Sequence, residues 1–277
     1  VHLRFSNILT MNRAPLRAVP SELRRSGGTR LAIPQCTNAS HESNLMARLL
    51  FLPGLASNEV MWQDQLKALP AHFRATVSDV HFRFGTVPAM AQALLAEHAG
   101  ELILCGASMG GILAMEVARQ APARVKALAL LGTNARPEAP EMARLRENAI
   151  ELFEQGRARE LLLANTLLAF HASRARDTAL TQTYLDFVMA AGTQQLIRQN
   201  RAIMARPDAR VHLPGLTCPT LVLCGDSDQL TPPECSREIA TLIPHAELHF
   251  IAECGHMLTM ERPAEVNARL LDWLARL

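Results

Sequence analysis

The 277-residue sequence predicts an α/β domain: a mostly parallel sheet covered by helices on both faces, with one helical insertion. Three observations predict it. From Ala47 onward, short runs of Leu, Ile and Val alternate with longer amphipathic stretches, the pattern of repeated βαβ units. That alternation breaks once, between about 134 and 213, where helical patterns rich in Ala, Leu, Arg and Gln follow one another with no strand between them. Apolar residues make up 49 % of the chain and aromatics 4 %, which suits aliphatic strands buried under Ala- and Leu-rich helices.

Taken in order, residues 1–45 have no sustained period of 2 or 3.6 and contain Pro15, Pro20, Pro34 and Ser26-Gly27-Gly28, so they are expected to be poorly ordered. Their Arg-rich, acid-poor composition is similar to an organelle-targeting segment. A start codon placed too far upstream is the preferred explanation, because Met46 directly precedes the first convincing strand. Strands are expected at Arg48–Leu52, Ala75–Val77, Glu101–Cys105, Val125–Leu131, Thr220–Cys224 and Glu247–Ile251. Helices fit Val60–Leu69, Val87–His98, Gly111–Gln120, Pro232–Leu242 and Pro263–Arg276. The predicted organisation is a core of residues 46–133 and 214–277, interrupted by a helical segment, 134–213.

The formal charge of +2 is too small to indicate nucleic acid or an anionic membrane as a partner. It also hides an asymmetry. Residues 1–40 hold six arginines against Glu22, a balance of +5, leaving 22 bases against 25 acids, or −3, for the remainder. The six cysteines form no CxxC pair and no Cys/His ligand spacing, so neither a zinc site nor a redox motif is indicated, and reduced thiols in a cytoplasmic protein are expected. No apolar run reaches the length of a membrane span. Oligomeric state has no signature in the sequence.

The sharpest motif is Gly106-Ala107-Ser108-Met109-Gly110-Gly111, directly after the apolar run Leu102-Ile103-Leu104-Cys105 and directly before a helix. A tight strand-to-helix turn forces its central serine into a strained conformation, and only glycines at the flanking positions leave room for the neighbouring backbone. Ser108 is thereby lifted off the sheet edge as a candidate nucleophile. The Met109 N–H, at the helix N-terminus, can face a developing oxyanion.

A nucleophilic serine needs a base, and the base needs a carboxylate to hold its tautomer. In a parallel sheet the loops after the strands share one edge, so both partners are sought on later loops of that kind. After Thr220-Leu221-Val222-Leu223-Cys224 comes Gly225-Asp226-Ser227-Asp228, where two carboxylates compete for the role. Either aspartate could instead be a turn or capping residue. After Glu247-Leu248-His249-Phe250-Ile251 comes Cys254-Gly255-His256, the histidine in the third slot of the series. His249, inside a strand, and His245, at a turn, are read as bystanders. A second oxyanion donor is expected after the first strand, at Pro53-Gly54-Leu55, where the glycine lets the chain turn so that the Leu55 N–H faces the same oxygen as that of Met109.

Together these stretches resemble the α/β-hydrolase superfamily, and within it the bacterial branch of small carboxylesterases and acyl hydrolases that includes pimeloyl-ACP methyl ester esterase and the enol-lactonases. The resemblance runs from about Ala47 to Leu277 and rests on the Pro-Gly turn, the Ser108 elbow, the Gly-Asp-Ser-Asp loop and Gly255-His256. It implies that Asp228, the second aspartate of its loop, is the acid of the triad. A serine at the elbow sets the chain apart from dehalogenase-like and epoxide hydrolase-like relatives, which carry aspartate there, and from dienelactone hydrolase-like ones, which carry cysteine. The chain departs from the pattern at Pro53, where His is usual. With Met46 as the true start it would also lack the N-terminal antiparallel strands common in the fold.

The resemblance implies an acyl-enzyme route on a small-molecule ester or acyl substrate, with thioesters and lactones next, and no metal or cofactor. The helical segment resembles the family's cap and would roof the site, with Met142, Phe153, Phe170, Tyr184 and Phe187, joined by Leu145, Leu167, Met189 and Met204, as candidates to line an apolar acyl pocket. At helical spacing such residues equally form a core. A carbon–carbon hydrolase or lyase, an acyltransferase, and a non-catalytic binding protein are the alternatives on the same motifs.

Overall fold

Six strands run in one direction, so every one of them ends at the same edge of the sheet. In the computed structural model, which describes residues 47–277, these are β1 (Arg48–Leu52), β2 (Ala75–Val77), β3 (Leu102–Ala107), β4 (Val125–Leu131), β5 (Thr220–Gly225) and β6 (Glu247–Ile251). The expectations for residues 1–45 lie outside the described residues. The spatial order is β2-β1-β3-β4-β5-β6, every pairing parallel, with Phe51 opposite Cys105 and Leu131 opposite Leu223. The order reverses between β1 and β3, and the loops after these two strands flank the crevice created there.

The helices are α1 (Gln63–Ala68), α2 (Val80–Arg83), α3 (Val87–Glu97), α4 (Met109–Gln120), α5 (Pro140–Glu154), α6 (Ala158–Ala169), α7 (Thr178–Ala191), α8 (Thr193–Met204), α9 (Pro233–Leu242), α10 (Leu258–Glu261) and α11 (Pro263–Leu274). The helix expected over Val60–Leu69 is divided: a 3-10 turn, Glu59–Trp62, precedes α1. Asn58 starts that turn, its side chain accepting the Val60 N–H. β3 runs on to Ala107, and α4 begins at once at Met109 rather than at Gly111. The short α2 and α10 were not expected, having too few residues for a period to register.

Strand side chains alternate between two apolar layers, as a pleated sheet buried on both faces requires. Leu50, Leu52, Leu104, Leu128, Leu130 and Val222 pack with residues of α3, α4 and α9. Leu49, Phe51, Ile103, Leu131, Leu221 and Leu223 pack with Trp62 and α11, in a cluster that continues into α5–α8 through Phe153, Phe170 and Phe187. Full burial of each such side chain contributes about 1.5–3 kcal/mol.

Helices α5–α8 stand between β4 and β5, and the chain enters and leaves this segment side by side. The Ala209 N–H donates to the Ala135 carbonyl at 2.9 Å. Arg206 donates to the Arg136 carbonyl and to Glu138, both at 2.8 Å, and Arg146 of α5 donates to the same carboxylate at 2.6 Å. Glu138 and Arg206 are both buried, so this is a desolvated, multiply hydrogen-bonded ion cluster, in which loss of one partner costs far more than at the surface. No described helix is long and apolar enough to cross a membrane.

Candidate active site

Ser108 occupies the one-residue junction between β3 and α4, at φ 53° and ψ −118°. Such a backbone costs a non-glycine residue about 1–3 kcal/mol and persists only where its surroundings enforce it. Here they do. The Ser108 N–H donates to the Leu131 carbonyl at the end of β4, and its carbonyl accepts the Gly111 N–H and the Thr133 hydroxyl, the latter at 2.7 Å. A Cβ on Gly106 would overlap the Gly110 carbonyl, and one on Gly110 would overlap that of Leu52, so the chain can fold this tightly only with glycine at both positions.

Ser108 and His256 lie 148 residues apart in sequence, and the Ser108 Oγ sits 2.9 Å from His256 Nε2. On the other side of the ring, Nδ1 lies 2.9 Å from Asp228 Oδ2. The tautomer with its proton on Nδ1 satisfies both contacts: Nδ1–H donates to the carboxylate, and Nε2 accepts the serine hydroxyl. Asp228 is held in turn by the Leu230 and Thr231 N–H groups on Oδ1, each at 2.9 Å, and by the Thr231 hydroxyl on Oδ2 at 2.8 Å.

The electrostatics follow from this arrangement. Burial alone would raise the Asp228 carboxyl, but the imidazole beside it and the hydrogen bonds from His256 and Thr231 outweigh that and hold it below the usual aspartate range. Burial opposes charge on His256, yet the adjoining Asp228 charge and hydrogen bond, with a smaller contribution from Glu261, lift the imidazole above the ordinary histidine value. The rival carboxylate does something else. Asp226 accepts the Glu253 and Cys254 N–H groups at 3.1 and 3.3 Å, bracing the loop that carries His256 rather than touching the ring.

The Pro53-Gly54-Leu55 turn lies directly against the elbow, since a Cβ on Gly54 would stand 3.4 Å from that of Ser108. Among the described residues, neither the Leu55 nor the Met109 N–H donates to a protein acceptor. The turn is fixed from α8. Ala56, at φ 51°, donates its N–H to the fully buried Gln199 Oε1 at 2.6 Å, while Gln199 Nε2 donates to the His81 carbonyl at 2.9 Å. The His81 ring closes the circuit on the Ser57 carbonyl at 2.8 Å.

A hydroxyl, an imidazole and a carboxylate joined in this order can turn the serine into a nucleophile, with the Met109 N–H next to it in the chain and that of Leu55 on the turn packed against it, both without a protein acceptor among the described residues. The family profile for the alpha/beta hydrolase fold matches residues 47–263. The chain belongs to the α/β-hydrolase family. Among its relatives is RutD of Serratia proteamaculans, provisionally named a carbamate hydrolase, 29 % identical over 258 residues covering 85 % of this chain and 93 % of that one. The pimeloyl-[acyl-carrier protein] methyl ester esterase of Aromatoleum aromaticum is 28 % identical over 81 % of this chain and 96 % of its own. A thermophilic esterase from Thermogutta terrifontis, solved with malate bound, superposes with a TM-score of 0.76 at 28 % identity, over 83 % of this chain and 90 % of that one.

Within this α/β-hydrolase, the predicted pocket residues divide. Phe170, Tyr184 and Phe187 meet edge to face, with ring centroids 5.4 and 5.6 Å apart, and Phe153 is buried in the same cluster. Met142, by contrast, stands 40 % exposed on α5, outside that cluster. The sequence reasoning missed Thr231 and Gln199. Thr231 follows Asp228 by three residues, the spacing of a side chain that caps its own turn, and could have been found. Gln199 lies 143 residues from the N–H it holds, and no local pattern announces it.

Proposed function

We propose that the protein is a serine hydrolase that cleaves a small or medium acyl ester through an acyl-enzyme. Ser108 attacks the carbonyl carbon as His256 Nε2 takes its proton. The tetrahedral oxyanion is received by the Leu55 and Met109 N–H groups, and on its collapse the alcohol leaves with the proton from His256. Water, deprotonated by the same imidazole, then attacks the acyl-enzyme and releases the acid. Asp228 stays ionised, keeps the proton on Nδ1 and stabilises the imidazolium. Helices α5–α8 act as the cap, and the aromatic cluster of Phe153, Phe170, Tyr184 and Phe187 gives the acyl chain apolar surroundings.

The observation that carries this proposal is the unbroken relay from Ser108 Oγ through both ring nitrogens to Asp228, at 2.9 Å on each side. Similarity to esterases supports the ester as substrate. Similarity to RutD favours a carbamate as the second reading, in which the serine takes a carbamoyl group instead of an acyl group.

The test is hydrolysis of p-nitrophenyl esters from acetate to decanoate, alongside a p-nitrophenyl carbamate, by the parent and by Ser108→Ala. Ester turnover lost in the variant is the expected result, and the preferred chain length sizes the pocket. Turnover of the carbamate alone would replace the ester with the second reading. An active Ser108→Ala protein would overturn both.

A further inference from the structure

Glu261, the last residue of α10, is 3 % exposed, and among the described residues no Lys or Arg pairs with it. Its acceptors are filled by backbone instead. The Gly255 N–H donates to both carboxylate oxygens, at 3.0 and 3.1 Å, and the His171 N–H donates to Oε2 at 2.8 Å. Gly255 directly precedes His256, and His171 lies on the link that leaves α6. These two stretches of main chain are in close contact: a Cβ on Gly255 would overlap the His171 nitrogen, and the Ala169 carbonyl accepts the N–H groups of His256 and Met257 at 2.9 and 3.1 Å.

A buried carboxylate without a cation is a costly way to hold two loops unless its charge is used. A neutral amide would not serve equally well, because both oxygens face N–H donors and an NH2 at either place would set donor against donor. We infer that Glu261 is a positioning residue for His256: its ionised carboxylate fixes the His256 loop to the link after α6 and adds negative potential at the imidazole.

The surrounding charges agree with this. The groups around the two side chains are Asp228 and Asp226 on the loop after β5, Cys254 on the loop of His256 itself, His171 on the link, and Arg262, which turns away to Glu253. Burial pushes the Glu261 carboxyl up, opposed by the N–H groups of His171, Gly255 and Met257 and by the His171 ring. Glu261 therefore changes charge at a higher pH than an ordinary glutamate and releases both loops when it does.

The inference builds on the catalytic role given above to His256, but its test does not depend on turnover. The His256 ring is titrated by NMR in the parent, in Glu261→Gln and in Glu261→Asp. The expected result is a His256 midpoint at lower pH in the Gln variant and near the parent value in the Asp variant. In the ester assay, kcat of Glu261→Gln should fall on the order of tenfold with KM little changed. A His256 midpoint unmoved in Glu261→Gln overturns the proposal, whatever Ser108→Ala does to turnover. Should the variants not fold, the Gly255 and His171 amide signals of the parent give the answer. A shared acid midpoint supports the proposal, and separate midpoints overturn it.

Discussion

Gln199 Oε1 accepts the Ala56 N–H at 2.6 Å, so a residue of α8 holds the end of the Pro53-Gly54-Leu55 turn that packs against Ser108. Replacing Gln199 with Ala leaves that N–H and the His81 carbonyl without this partner, an expected loss of about 1–3 kcal/mol in denaturant unfolding. Removing one oxyanion donor outright lowers kcat by about 10²–10³. Loosening the turn that carries the Leu55 N–H, the donor proposed above, should cost less, on the order of tenfold, with KM little changed in steady-state ester hydrolysis.

The two aspartates of the β5 loop should part company on substitution. Asp228→Asn keeps the shape but no longer secures the proton on Nδ1, and kcat is expected to drop by roughly 10⁴. Asp226→Asn weakens a brace on the Glu253–Cys254 backbone and should lower stability by about 1 kcal/mol with a far smaller effect on rate. Comparable losses of kcat in the two variants would contradict the assignment of Asp228.

In the proposed mechanism His256 is neutral when it accepts the Ser108 proton, and although burial opposes its charge, the adjoining Asp228 charge and hydrogen bond lift its pKa above the ordinary histidine value of 6.5. The acid limb of a kcat/KM–pH profile is therefore expected above that value and should move to lower pH in Asp228→Asn. Stability carries opposite signs for the pair. The raised His256 contributes stability that is fully present below pH 6.5 and lost as pH rises through its folded pKa. The depressed Asp228 contributes stability that is present above its ordinary 3.8 and lost as pH falls through its folded pKa.

Gly110→Ala is a test of the elbow. The added methyl would overlap the Leu52 carbonyl, and neither strand nor helix can yield without shifting Ser108. An expected destabilisation of about 1–3 kcal/mol should come with slower labelling of Ser108 by a fluorophosphonate.

Much of this arrangement was legible in the residues. Unbroken apolar runs at Leu49–Leu52 and Leu102–Cys105 marked strands because both faces of the sheet are buried, and the Gly106–Gly110 pattern marked the elbow because sterics there admit only glycine. What remained hidden depends on chain segments far apart. Asp226 and Asp228 look alike by residue type and spacing, and resemblance to the family alone pointed to Asp228; the position of β6 and its following loop gives one the ring and the other the backbone. Glu261 and Gln199 sit in helices as ordinary polar residues, and their partners are set by tertiary packing. Met142 and Phe153 share a helix and an apolar character, yet only Phe153 is turned into the aromatic cluster.

The ion cluster of Glu138, Arg146 and Arg206, together with the Ala135–Ala209 backbone bond, brings both ends of the helical segment to one clasp. For the rest of the chain, a segment so fastened is equivalent to a short loop, because its ends stay adjacent whatever lies between them. The segment could thus change its length or lining and leave the sheet undisturbed, provided that the clasp, Gln199 and the Ala169 carbonyl are kept. Exchange of the segment between relatives, cut at residues 135 and 209 with Glu138, Arg146, Ala169, Gln199 and Arg206 retained in the graft, becomes a practical way to ask whether the segment sets substrate preference.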